Sequence, residues 1–184
     1  MLHYKKEIPA MTDLLALYGS VGWTNYTNNP AMLEKAVKAS LWQLAVYDEK
    51  ELVAYIRLVG DGHSVLLVQD LLVRPDHQRQ GIGRKLLEEA LATFPTVYQR
   101  LLVTERSEKN LAFYQSLGFV ELSEQACTGM IYMKYREWDR NWSFVRIRFR
   151  RPTSSQLSRA VKADETSVVE LAQPLRLARQ TKNN

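Results

Sequence analysis

The stretch Leu71-Leu72-Val73-Arg74-Pro75-Asp76-His77-Gln78-Arg79-Gln80-Gly81-Ile82-Gly83-Arg84-Lys85-Leu86-Leu87 decides how the chain is read. The apolar run ending at Val73 reads as a buried strand, and Arg74 to Gln80 as a loop. Gly81 to Phe94 reads as an amphipathic helix, with Ile82, Leu86, Leu87, Ala90, Leu91 and Phe94 on one face. A glycine-bearing loop that opens a helix is an anion cradle. The first helical turn has unpaired N–H groups and the positive end of the dipole. Glycine lets an oxygen-rich group approach the backbone. Arg79, Arg84 and Lys85 add positive charge. A dinucleotide loop fits less well, because Leu86 stands where the third glycine would be. The Gly-Lys-Ser/Thr of a nucleotide-triphosphate loop is also missing. For the spacing alone, a helix start with two incidental glycines is the plain alternative.

Outward from this stretch the pattern is a mixed α/β chain. Leu2 to Lys6 reads as an opening strand, Pro9 to Tyr18 as a helix, and Pro30 to Ser40 as a second helix with Asn29 as N-cap. Trp23 to Asn29 between them reads as a polar-aromatic loop. Leu41 to Tyr47, Leu52 to Val59 and Val65 to Val73 read as three strands, and their short connections make them antiparallel neighbours. Gln99 to Thr104 reads as a further strand. Ser107 to Leu117 reads as a helix with Ser107 as N-cap and Gly118 as its stop. Phe119 to Glu124 and Met130 to Tyr135 are predicted to close the body as two strands. A strand–helix–strand–helix–strand order makes the sheet mixed.

A chain of 184 residues has room for one domain with its own core, with or without an appendage. Cys127 is the only cysteine, which excludes an intrachain disulfide and any disulfide scaffold. No segment approaches the roughly 20 apolar residues of a membrane helix. The basic start, Lys5-Lys6, has no apolar run after it, so no signal peptide and no membrane are expected; a cytoplasmic protein is. The net charge of +5 is unevenly placed. Residues 135–184 carry 11 Lys and Arg against 5 Asp and Glu, and the remainder is close to neutral. Any nucleic-acid reading would rest on that tail, and none is favoured.

Val73-x-Pro75-x-x-Gln78-Arg79-Gln80-Gly81-Ile82-Gly83 resembles motif A of the GNAT superfamily of N-acetyltransferases. About thirty residues on, Asn110-Leu111-Ala112-Phe113-Tyr114-Gln115-Ser116-Leu117-Gly118-Phe119 resembles motif B. Two motifs in this order and spacing are far more specific than either alone. The resemblance covers residues 1–135, leaving 136–184 as a basic C-terminal appendage. It implies an α/β fold with a central mixed, mostly antiparallel sheet of six to seven strands and about four flanking helices.

The resemblance further implies acetyl-CoA as co-substrate and no metal. The pyrophosphate would lie on backbone amides of Arg79, Gln80, Gly81, Ile82, Gly83 and Arg84, and Gln78 belongs to the same cofactor-binding loop. The pantetheine would pair with the backbone of Leu72 and Val73 like an added strand, where the family's strand bulges and splays from its neighbour. Asn110 would reach the pantetheine or nearby backbone. Tyr114 would be the proton donor to the departing thiolate, since a phenol near pKa 10 can protonate a thiolate whose thiol is near 8.5.

The acceptor would be a primary amine of a small molecule or protein. Deprotonating an amine of pKa near 10.4 at pH 7 costs about 4.6 kcal/mol, so a base or water chain is wanted. Some relatives place a glutamate where this chain has Leu102. Asp70, flanked by Leu67-Val68 and Leu71-Leu72, is the first candidate base, and Glu105 the second. A buried structural aspartate is the competing reading for Asp70. Trp23 and Tyr26 stand where the family shapes its acceptor pocket, and they read either as an amine-binding wall or as loop anchors. The His residues show no metal spacing. A non-catalytic acyl-CoA-binding module is the rival function. The tail's Arg146, Arg148, Arg150 and Arg151 leave a dimer interface open.

Overall fold

A computed structural model describes residues 1–131. The basic appendage 136–184 and most of the predicted strand Met130 to Tyr135 lie outside the described residues. Residues 1–119 make one unit, and 120–131 belong to another.

In the first unit the elements run β1 (Leu2–Lys5), α1 (Met11–Ser20), α2 (Thr24–Thr27), α3 (Pro30–Lys38), β2 (Trp42–Asp48) and β3 (Glu51–Gly60). They continue as β4 (Val65–Val73), α4 (Ile82–Thr93), β5 (Gln99–Leu102) and α5 (Glu108–Gln115). The sheet order is β1-β2-β3-β4-β5. The first four strands are antiparallel neighbours, and β5 joins β4 in parallel. That is the mixed sheet expected from the element order, because a helix between two strands carries the chain back to run the same way. The helix signals act where the sequence puts them. The Asn29 side chain accepts from the Met32 N–H, and Ser107 accepts from the Asn110 N–H. Gly118 ends the α5 region with φ +88°, a conformation glycine adopts without steric cost.

Each sheet face buries its own apolar cluster. Leu44, Ile56, Leu58 and Leu66 pack with Leu86 and Leu87 of α4, and Phe113 and Tyr114 of α5 lie against them. On the opposite face Ala45, Tyr55 and Leu72 pack with Leu14, Leu17 and Tyr18 of α1 and Leu33 and Val37 of α3.

One irregularity positions the site. The β3–β4 register passes from Arg57↔Asp70 to Leu58↔Val68, so Gln69 is an extra residue on β4. A bulge of one residue turns the strand over. Leu66 and Val68 therefore face α4, whereas Leu72, two residues past Asp70, faces α1. Beyond Val68 the strand also loses its parallel partner, because β5 pairs only with Val65 to Val68. The sheet splits at the bulge.

Two expectations are corrected. Trp23 to Asn29 is not wholly loop, since α2 forms a helical turn within it. Phe119 to Glu124 is not a strand: in the 120–131 unit, Leu122–Gln125 forms a 3-10 turn that ends in left-handed Ala126. Alternation specifies a strand only where a neighbour pairs it and one face is buried. Val120 and Leu122 are 54% and 41% exposed. The sheet has five strands among the described residues.

Candidate functional site

The split between β4 and β5 opens a cleft of about 370 Å³. Its wall on β4 is Leu71 and Val73; its mouth is His77, Gln78, Arg79, Gly81, Ile82, Gly83 and Arg84. Asn110, Phe113 and Tyr114 of α5 close the far side. The two sequence motifs thus meet across one cavity.

The open edge of β4 is offered by a different pair of residues from the one expected. The Arg74 N–H donates to the Val53 carbonyl, 2.8 Å, on the β3 side. In an antiparallel pair the bonded positions alternate. Leu72 therefore bonds toward β3, and Leu71 and Val73 present their backbone groups to the split. The backbone of Leu72, expected at the open edge, is thus turned toward β3. The Leu72 side chain is buried against α1 and α3.

The loop is built to leave amides free. Gln78 folds back and donates from Nε2 to the Val73 carbonyl, 3.0 Å. Gln80 donates to the Asp76 carbonyl, 3.3 Å, so its side chain braces the loop and does not line the cleft. Arg79 and Gly81 are both left-handed, φ +63° and +80°. For Arg79 that conformation costs about 1 kcal/mol or more. A Cβ built on Gly81 would meet nothing within 4 Å, so the backbone there is open to an incoming group. The first N–H groups of α4 follow at Ile82, Gly83 and Arg84, without intrahelical acceptors. This donor set, with the Arg79 and Arg84 guanidiniums on the lining, fits a pyrophosphate. Lys85 does not contribute: its ammonium sits 4.0 Å from the Tyr4 ring centroid.

Tyr114 packs edge-on against Phe113 and Phe119, with centroids 5.0 and 6.0 Å apart. Burial raises its phenol above the usual tyrosine value, and the nearby Thr104 hydroxyl works against the rise. Asn110, one helical turn before it, donates from Nδ2 to Thr104 Oγ1 (3.2 Å) and to the Glu105 carbonyl (3.1 Å). Asn110 therefore holds nearby backbone while also lining the cleft. Thr104 was not singled out by sequence, because a threonine just past a short strand carries no local signal. The Glu105 side chain is exposed and off the cleft lining.

Asp70 is corrected as a candidate base. It is 1% exposed and does not line the cleft. Its Oδ2 is ion-paired with Arg57 Nε and accepts from the Tyr18 hydroxyl at 2.6 Å. Its Oδ1 accepts from the Tyr26 hydroxyl at 3.2 Å. Three donors, one of them a buried guanidinium, make this carboxylate the centre of a buried ion-pair network. Burial works against the Arg57 charge, but the adjoining carboxylate outweighs it and keeps the guanidinium protonated. Burial, then Asp70, pushes the Tyr18 phenol far above its usual value. The sequence did hold a signal for this pair: Arg57 and Asp70 are opposite charges inside two adjacent apolar strands.

Trp23 and Tyr26 lie with Tyr18 on the α1 side of β4. Tyr26 stacks on Trp23 at 5.9 Å and also receives a hydrogen bond from Gln69 of the bulge, 3.4 Å. They anchor the α1–α3 connection to the bulge. A second depression of about 750 Å³ lies along α1, where Asp13, Lys50, Glu51, Arg74 and Asp76 line it. It contains Arg74 ion pairs with Glu51 and Asp76 and none of the residues of the cradle or of motif B.

Residues 40–121 match the family model of the acetyltransferase (GNAT) domain. The solved structure of a GNAT family acetyltransferase from Streptococcus pneumoniae is 49% identical, covering 74% of this chain and all of that one, with a TM-score of 0.67. The peptidyl-lysine N-acetyltransferase YjaB of Salmonella typhimurium is 34% identical over 82 residues, 45% of this chain and 51% of that protein. The chloroplastic serotonin N-acetyltransferase 2 of Oryza sativa is 30% identical over 91 residues, 50% of this chain and 45% of that protein. The chain thus spans about half the length of the curated relatives it matches. With the split sheet, the amide cradle and both motifs meeting at one cleft, and a full-length structural relative at 49% identity, the chain belongs to the GNAT acetyltransferase family.

Proposed function

We propose that this chain transfers an acetyl group from acetyl-CoA to a primary amine within a ternary complex. One observation carries the reading: a phenol, Tyr114, and an anion cradle, Gln78 to Arg84, line the same cleft where β4 and β5 part. Acetyl-CoA would supply the acetyl group already activated as a thioester. The backbone amides of Arg79 to Arg84 would hold its pyrophosphate, and the edge of β4 at Leu71 and the Val73 N–H its pantetheine. Tyr114 keeps a proton at Oη for the leaving thiolate. Holding both reactants in one cleft lowers the entropic part of the barrier. The matched relatives' names point to two acceptor classes, a protein lysine and an arylalkylamine. Trp23 and Tyr26 are proposed to border the acceptor's approach at the bulge.

The test is thermal melting with acetyl-CoA, followed by amine-dependent thiol release on a panel of alkylamines, arylalkylamines and lysine peptides. Ligand at 100 times its dissociation constant adds about 2.7 kcal/mol, a shift of several degrees. Gly81→Glu should abolish that shift, because it strains φ +80° and puts a carboxylate at the cradle. No shift at millimolar acetyl-CoA would sink the cofactor assignment. A shift with no amine-dependent thiol release across the panel would favour a non-catalytic binding module.

The cleft lining includes no carboxylate among the described residues. The amine should therefore react mainly as the fraction already deprotonated. For an amine of pKa near 10.4, kcat/KM is expected to rise about tenfold per pH unit from pH 7 to 9. Tyr114 adds no alkaline loss in that window, because its phenol titrates above the ordinary value and stays protonated. A pH-rate profile that levels off by pH 7.5 would reveal a protein base and refute this account.

A further inference from the structure

We propose that Arg74 is a positioning residue for the cofactor: from outside the cleft it braces the back of the cradle loop against the β2–β3 hairpin, and acetyl-CoA affinity depends on that brace. The inference rests on the reading of the loop as the acetyl-CoA cradle. The loop is a wall between two cavities. His77, Gln78, Arg79 and Gly81 line the cleft, whereas Arg74, Pro75 and Asp76 line the depression along α1.

Arg74 is the point from which this wall is held. Its N–H donates to the Val53 carbonyl, 2.8 Å, so its backbone is fixed to β3. Its carbonyl accepts from the His77 N–H, 2.9 Å, and opens the 3-10 turn Pro75–His77. Its guanidinium closes the same turn from the side: Nε and Nη2 donate to Asp76 Oδ1 and Oδ2, at 3.1 and 2.6 Å. Such a fork fixes direction as well as distance. The remaining nitrogen, Nη1, is ion-paired with Glu51 at the start of β3. His77 adds a second link. Its Nδ1 lies 2.7 Å from Asp76 Oδ1, and its Nε2 lies 3.6 Å from Asp48 Oδ2. Asp48 and Glu51 are paired across the hairpin turn, so the loop is tied to both arms of one hairpin.

The need for a brace follows from the residues beyond it. Gln80 hangs on the Asp76 carbonyl, and Arg79 and Gly81 on either side of it are left-handed. A non-glycine residue stays in that conformation only where its surroundings over-determine it. The cleft side of the loop has to stay open for a ligand, so the restraint comes from behind. Isolated surface ion pairs add little, but Arg74 is only 25% exposed, grips Asp76 with two nitrogens and belongs to a network.

The test compares three variants of the full chain. Arg74→Met keeps the stem and removes the fork, Arg74→Lys keeps only the charge, and Glu51→Gln alters the exposed hairpin end. The first readout is calorimetric titration with acetyl-CoA. Arg74→Met should weaken binding about tenfold, and Arg74→Lys nearly as much, since an ammonium cannot form the fork. Glu51→Gln should weaken binding about threefold, and should add nothing in the Arg74→Met background, because both act through one contact. Charge alone predicts the opposite for Glu51→Gln, since losing a carboxylate favours an anionic ligand. The second readout is kcat at saturating acetyl-CoA with the panel amine of highest kcat/KM. It should stay within about twofold, because Tyr114 lies on another element. Unchanged affinity in Arg74→Met or Arg74→Lys overturns the proposal, and so does unchanged or tighter binding in Glu51→Gln, which decides alone if the Arg74 variants do not fold. A fall in kcat as large as the loss of affinity also overturns it, because the change then reaches beyond the loop. Acetyl-CoA binding that survives Gly81→Glu overturns the cradle reading beneath it, whatever Arg74 does.

Discussion

Replacing Tyr114 by Phe is expected to lower kcat on the order of a hundredfold to a thousandfold, with acetyl-CoA binding unchanged within about twofold. The asymmetry follows from what the substitution removes. The ring keeps its edge contacts with Phe113 and Phe119, so α5 and the cleft wall should stay in place. The pyrophosphate cradle at Gln78 to Arg84 belongs to another element and does not depend on the hydroxyl. Only the proton donor is lost. Steady-state thiol release gives kcat, and calorimetric titration with acetyl-CoA gives the dissociation constant. A parallel loss of both would mean that the substitution has deformed the cleft, and an unchanged kcat would remove Tyr114 from the mechanism.

The second large effect is on stability. Asp70→Ala should destabilise the fold by about 3–5 kcal/mol, because it leaves the Arg57 guanidinium buried without its counter-ion. Arg57 and Asp70 side chains are 5% and 1% exposed, so solvent does little to screen the pair. The Tyr18 and Tyr26 hydroxyls lose their acceptor as well. At roughly 2–4 °C per kcal/mol for a chain of this size, the melting temperature should fall by about 10–15 °C. An Arg57→Met, Asp70→Leu double variant should recover most of the loss, since an apolar pair leaves no orphan charge. Thermal and urea unfolding check both. A loss below about 1 kcal/mol would refute the buried-pair account. A large drop in kcat with stability intact would reinstate Asp70 as a base.

These two experiments bear on residues that were legible to different degrees. Tyr114 was legible because motif B is a local pattern: an N-cap, an asparagine and a tyrosine one turn apart, and a glycine stop. Asp70 was visible as a charge among leucines, but its task was not. Its partner Arg57 lies on another strand, and Tyr18 and Tyr26 lie in the helices before the sheet. Lys85 shows the same limit from the other side. It follows the glycine loop in sequence, yet its ammonium lies over Tyr4 of β1.

The sequence by itself determined the order of elements, the caps at Asn29 and Ser107, the glycine loop and the two motifs. Those signals act over a few residues, through backbone conformation and side-chain spacing along one element. The tertiary structure alone decided which side chains face one another. On β4, burial alternates without a break from Leu66 to Leu72, which reads as one face. The bulge at Gln69 divides that face in two, sending Leu66 and Val68 toward α4 and Leu72 toward α1. A bulge arises from pairing between strands, and no residue of β4 announces it alone. The same register sets Arg57 opposite Asp70 and turns the backbone groups of Leu71 and Val73 away from β3.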